Sequence, residues 1–138
     1  MSRERAAGYE ERGRGTFPGF LGLEVLDVSP REVRMRLPVR PEFLAPNGYL
    51  HAGTVVTLAD TACGYGTFES LPAEATSFTT IELKANFLGT VREGALACVA
   101  TVVHGGRTTQ VWDAVVTDAA SGKVVAMFRC TQLVLYPR

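Results

Sequence analysis

Residues 53–68, GTVVTLADTACGYGTF, span about four helical turns and show no strict alternation and no polar face. Val55, Val56, Leu58, Ala59, Ala62 and Cys63 put apolar or small residues at nearly every position. A helix apolar on all sides must be enclosed by the rest of its chain. Its valines and glycines are weak helix formers, so packing rather than propensity has to hold it. The flanking sequence supplies the wrapping. Residues 31–39 alternate Val33, Met35, Leu37 and Val39 with Glu32, Arg34 and Arg36, and pair as a hairpin with the apolar stretch 17–28. Residues 41–47 read as a loop. Strands are expected at 76–88, 95–103, 108–117 and 123–135, with Gly105-Gly106 as a two-residue turn needing positive φ and residues 118–122 as the last turn. One enclosed helix against a long antiparallel sheet of five to six strands is an α+β arrangement in which the sheet curls round the helix.

With 138 residues the chain suits one domain, and we expect a mobile arm or short frayed helix over 1–16 and a single domain over 17–138. Fourteen basic residues balance fourteen acidic ones, which removes the electrostatic footprint of a nucleic-acid binder. No apolar run approaches the roughly 20 residues of a membrane span, and the charged N-terminus has no apolar stretch behind it. A cytoplasmic protein is the expectation. Cys63, Cys98 and Cys130 sit among apolar residues and read as buried free thiols. The two histidines, His51 and His104, lack metal-ligand spacing from any cysteine, so we expect no metal. A GxSxG elbow and a P-loop are missing, and Gly64-Tyr65-Gly66 lacks the third glycine of a dinucleotide fingerprint.

Asp60 breaks the apolar pattern. The places three and four residues away hold Val56, Thr57, Cys63 and Gly64, so no cation pairs with it on the helix. An unpaired buried carboxylate costs several kcal/mol or takes up a proton. A structural reading has it bonded to a hydroxyl, that of Thr57 or one on a neighbouring strand. The functional reading, which we favour, is a base or nucleophile raised in pKa by its surroundings. Just upstream, Asn47-Gly48-Tyr49-Leu50-His51-Ala52-Gly53 leads into the helix start, where unsatisfied N–H groups can stabilise an oxyanion. Gly53 there is either a ligand-free terminus or such a donor. Seven residues separate Gly53 from Asp60, about 10 Å along the axis, too far for one carbonyl to bridge. Two antiparallel copies would bring Gly53 of one chain near Asp60 of the other, which predicts a homodimer with symmetric composite sites.

GYLHAGTVVTLADTACGYG resembles the G-x-x-H-G-G-x-x-x-x-L-A-D signature of hot-dog-fold thioesterases, especially the phenylacetate-pathway branch. FLGLEVLDVSPREVRMRLPV, TTIELKANFLGTVREG and HGGRTTQVWDAVVTDAASGKVVAMFRCTQLVL look like the family's other segments, so the likeness covers all but the N-terminal arm. It implies a hot-dog fold, hydrolysis of acyl-CoA thioesters without a cofactor, and self-association as dimers that commonly pair into tetramers. Asp60 falls on the family's catalytic carboxylate, Gly53 on the amide that polarises the thioester carbonyl, and His51 on the histidine beside it. Ala52 replaces the second residue of His-Gly-Gly. Many relatives carry an asparagine six residues before the histidine; here Ala45 stands there and Asn47 lies four before. The frequent Phe-Leu-Arg-Pro turn is Phe87-Leu88-Gly89-Thr90, which leaves Gly89 in place of a basic CoA contact and makes Arg92 or Arg107 the candidates for phosphate. Thr80 matches a hydroxyl that positions water. The carboxylate would activate water or attack to form a mixed anhydride.

Two other readings stay open. A hydratase or dehydratase would use His51 and Asp60 as its acid–base pair, and a non-catalytic acyl-CoA binder would release no thiol. Tyr49, Tyr65 and Phe68 suit an aromatic-tolerant pocket and suit core packing equally well.

Overall fold

The computed structural model describes residues 2–138; Met1, part of the expected arm, lies outside them. Three α-helices and six strands make up the described fold. Helix α1 (Ser2–Arg12) and the short α2 (Phe17–Leu21) precede the strands β1 (Glu24–Val28) and β2 (Glu32–Pro38). Helix α3 (Ala52–Glu69) is followed by β3 (Ser77–Phe87), β4 (Ala95–Gly105), β5 (Thr109–Asp118) and β6 (Val124–Leu135). The six strands form one antiparallel sheet in the order β1-β2-β4-β5-β6-β3, so the long α3 crossover carries the chain from one half of the sheet to β3 at its far edge. The hot-dog arrangement expected from the sequence is the one observed.

Alternation decides which side of each strand meets α3. On β6, Ala126, Phe128, Cys130, Gln132 and Val134 are buried, and their register partners on β3 are Phe87, Ala85, Leu83, Thr80 and Phe78. Those residues form the concave face. Trp112 on β5 is fully buried against α3, where a Cβ on Gly66 would overlap its ring. A glycine there lets the helix approach the sheet closely. The helix ends where Ser70 caps it: its N–H and its hydroxyl both donate to the Gly66 carbonyl, at 3.1 and 2.7 Å.

Four expectations change. Of the two alternatives for the N-terminal segment, the helix is the one observed, but it is eleven residues long and packed on β1 with Ala6 and Tyr9 buried, not frayed or mobile. Tyr9 gives it a hold: its ring lies 4.9 Å from that of Tyr65 and its hydroxyl donates to Glu69 at 2.8 Å. Residues 17–21 form a helical turn instead of opening a strand, because Pro18 suits a first turn and Gly22, at φ 81°, ends it. Gly105 and Gly106 do not take positive φ; at Gly106 space is short instead, since a Cβ would lie 3.0 Å from the Thr109 carbonyl oxygen. Finally, α3 is not enclosed on every side. Thr54, Val55, Leu58, Ala59, Ala62, Cys63, Gly66 and Thr67 are buried, while Gly53, Asp60, Thr61, Gly64 and Phe68 stay partly or fully open.

Candidate active site

The open face of α3 looks along the concave side of β3, where Leu83 and Phe87 remain 43% and 47% exposed. β3 is the sheet's far edge, and among the described residues no further strand pairs with its free side. Asp60 stands on this face. Its Oδ1 is buried and has no hydrogen-bond partner among the described residues. Thr57 does not satisfy it, because the Thr57 hydroxyl donates to the Gly53 carbonyl at 2.8 Å. Burial pushes the Asp60 carboxyl above the ordinary carboxylate range. The structural reading of Asp60 as a hydroxyl-bonded packing residue is thereby overturned within the chain.

At the start of α3, His51 is the N-cap in an extended conformation, and its Nδ1 accepts the Gly53 N–H at 2.8 Å. Two consequences follow. An acceptor at Nδ1 places the neutral ring's proton on Nε2, so this histidine presents an outward donor. Gly53 has its amide occupied, which corrects its assignment as the free oxyanion donor. The Thr54 N–H donates to the His51 carbonyl at 3.0 Å, and the Ala52 N–H is left without a partner among the described residues. The unspent donor is therefore one residue earlier than the sequence suggested. The signal was present as a capping histidine two residues before a glycine. Ala52 precedes Asp60 by eight residues, about 12 Å along the helix.

Other candidates are scattered. Asn47 is spent on its own turn, its Oδ1 accepting the Tyr49 N–H at 3.2 Å, with Gly48 at φ 86° beside it. This loop is tied to the β3–β4 connection, where the Thr90 hydroxyl accepts the Leu50 N–H at 3.1 Å and the Arg92 guanidinium lies 4.4 Å from the Tyr49 ring centre. Arg92 is thus brought beside the helix start. Gly89 donates its N–H to the Val125 carbonyl and closes the end of β3. Thr80 lies on the concave face, but its hydroxyl donates to Gln132 Oε1 at 2.6 Å instead of facing Asp60 unpaired. Arg107 is at the opposite end of β4, beside Tyr136. An eleven-residue strand spans about 36 Å, so Arg92 and Arg107 of one chain do not share a site.

The thiols offer no competing nucleophile. Cys63, Cys98 and Cys130 are free and buried. The Cys63 thiol is held well above its usual value by its hydrogen bond with Cys130 and by burial, and burial pushes Cys98 up to about 12. Among the described residues no group of three or more His, Cys, Asp or Glu side chains is placed to hold a metal ion. Nor is any described helix long and apolar enough to cross a membrane.

Comparison with known proteins agrees with the fold. The family profile of the thioesterase superfamily matches residues 47–125, the stretch from the turn before α3 into β6. A 1,4-dihydroxy-2-naphthoyl-CoA hydrolase from Listeria monocytogenes is 32% identical over 80% of this chain and 89% of its own length. A mutant thioesterase from Pseudomonas aeruginosa superposes with a TM-score of 0.89 at 26% identity, covering 96% of this chain and 94% of that one. A thioesterase family protein from Silicibacter pomeroyi gives 0.83 at 29% identity, over 97% and 98%.

Proposed function

Since this chain belongs to the thioesterase superfamily and is a thioester hydrolase, we propose that it cleaves its acyl-CoA substrate between the Asp60 carboxylate of one subunit and the Ala52 amide of another. The observation that carries this is the pair of unspent groups on one helix, a backbone N–H at its start and a carboxylate two turns on. Asp60 holds a buried oxygen without a partner, and the helix start holds an N–H without an acceptor. A gap of about 12 Å along one helix keeps them from acting on the same carbonyl within a chain. A two-fold arrangement of antiparallel helices, joined along the free β3 edge, closes that gap and covers Leu83 and Phe87.

In this site the thioester oxygen sits on the Ala52 amide, with the helix dipole adding to the pull on the developing charge. His51 Nε2–H supplies a second donor beside it. Asp60 of the partner subunit removes a proton from the attacking water, or attacks directly to give an anhydride that water then opens. CoA leaves as the thiol. No bond joins His51 to Asp60, and a ring that spends Nδ1 on Gly53 is poorly arranged as the acid of a hydratase. Arg92 meets the CoA phosphates in this reading, a role supported by its position over the Tyr49 ring in the loop that leads into α3. Three buried free thiols suit a reducing compartment, and we assign the enzyme to the cytoplasm.

Two variants test the composite site. Asp60→Asn removes the base, and Ala52→Pro removes the N–H while keeping a residue tolerated at the first helical position. His51, at φ −67° and ψ 132°, already has the backbone that a following proline demands. Each alone is expected to lower free-thiol release by at least about a hundredfold. Unfolded and refolded together, they should recover about a quarter of wild-type turnover, because half the dimers are mixed and each mixed dimer has one intact site. No recovery on mixing would place both groups in one subunit, and an active Asp60→Asn would remove the carboxylate from the mechanism.

A further inference from the structure

Resting on the assignment of Asp60 as the reacting carboxylate, we propose that Phe78, braced by Phe68, is the wall that ends the acyl pocket and restricts the enzyme to compact acyl groups, a single ring or a short chain. Asp60, Gly64 and Phe68 follow one another at four-residue intervals on α3 and so share one face. Gly64 leaves bare backbone in the middle of that row. The tip of the Phe78 ring fills the gap, 3.4 Å from where a Cβ on Gly64 would stand. Phe68 meets Phe78 edge-on, with centroids 5.5 Å apart and planes at 82°. On the Phe68 ring lies the Arg12 guanidinium, 4.6 Å from the centroid, so α1 backs the pair.

The wall therefore stands one helical turn, about 6 Å, beyond the carboxylate. The opposite direction is closed in the dimer. Midway between Ala52 and Asp60 is Val56, and a two-fold axis there lays the partner helix over the part of α3 that precedes Asp60. An acyl group attached to the reacting carbonyl then runs toward Gly64 and meets the two rings. An aromatic acyl group finds an edge-to-face partner there, whereas a long straight chain has to displace a ring pair held from both sides. Phe78 cannot turn to the outer face, because its place opposite Val134 on the concave side is set by the β3–β6 register.

The test is a kcat/KM panel over butanoyl-, benzoyl- and dodecanoyl-CoA for the wild type, Phe78→Val, Phe68→Ala and Asp60→Asn. Valine keeps the strand propensity of the site, and Phe68→Ala loosens the wall from the helix side if the strand variant folds poorly. The wild type should favour benzoyl- or butanoyl- over dodecanoyl-CoA by at least about tenfold, and each wall variant should shrink that ratio by about tenfold. A wild type that cleaves dodecanoyl-CoA as fast as benzoyl-CoA overturns the proposal, as does an unchanged ratio in both folded variants. Asp60→Asn separates the two claims. If it is inactive while the wall variants keep the wild-type ratio, the carboxylate stands and the wall falls; if it is active on all three esters, the carboxylate falls.

Discussion

At the β1 edge of the sheet, helix α1 lies against the strand, and Glu10 Oε1 accepts the Val25 N–H at 2.8 Å. Tyr9 and Ala6 bury themselves beside it. At the β3 edge, eleven residues long, no further strand among the described residues lies alongside, and Ile81, Leu83 and Phe87 keep 43–56% of their surface. An uncovered edge with apolar residues invites another strand. The closed edge is completed by the chain's own N-terminus. The bare edge flanks the unspent carboxylate, which links the catalytic proposal to the association proposal.

The largest expected effect breaks the bare edge. Leu83→Asp places a charge on the concave face of β3, where the copy would pack. By light scattering the variant should show the mass of a single chain, and thiol release should fall by at least about a hundredfold with loss of the partner's oxyanion donor. A dimer with full activity would place the interface elsewhere. The closed edge should respond differently. Tyr9→Ala removes a buried ring and its Glu69 bond, and should cost about 3 kcal/mol in denaturant unfolding without altering the dimer mass. If that variant changed the mass instead, α1 would belong to the interface as well.

The smallest effect sharpens the comparison through Asp60 and stability. Its folded-state pKa is raised by burial, so its contribution to stability is fully present below the ordinary value of about 3.9 and is lost as pH rises through the raised one. Asp60→Asn should therefore unfold at a higher temperature than the wild type at pH 7, with the difference closing as the pH falls below 4. A variant less stable than the wild type at neutral pH would mean that the charged carboxylate has a stabilising partner in the assembly.

Much of this was legible in the chain because burial leaves a period. The alternation of Val33, Met35 and Leu37 marked β2, and the non-alternating segment 53–68 marked α3 to within a residue at each end. Asp60 stood out by polarity alone. The packing of α1 did not, since its sequence is mostly charged and its hold depends on Tyr65 and Glu69, 56 and 60 residues from Tyr9 along the chain. The choice between the Gly53 and Ala52 amides was equally hidden. Both precede Asp60 on the same helix, and which N–H stays free depends on where the His51 ring turns.

By itself, the sequence determined which residues alternate, which segment is apolar throughout, and that one carboxylate lies where no neighbour on its helix can neutralise it. Those are local properties, written in side-chain chemistry at short spacing. Which side of α3 stays open, which sheet edge is covered, and that the Phe78 ring reaches Gly64 were decided only by the tertiary structure. Each of these depends on contacts between segments far apart in the chain, and no short-range pattern encodes where a distant ring or strand comes to rest.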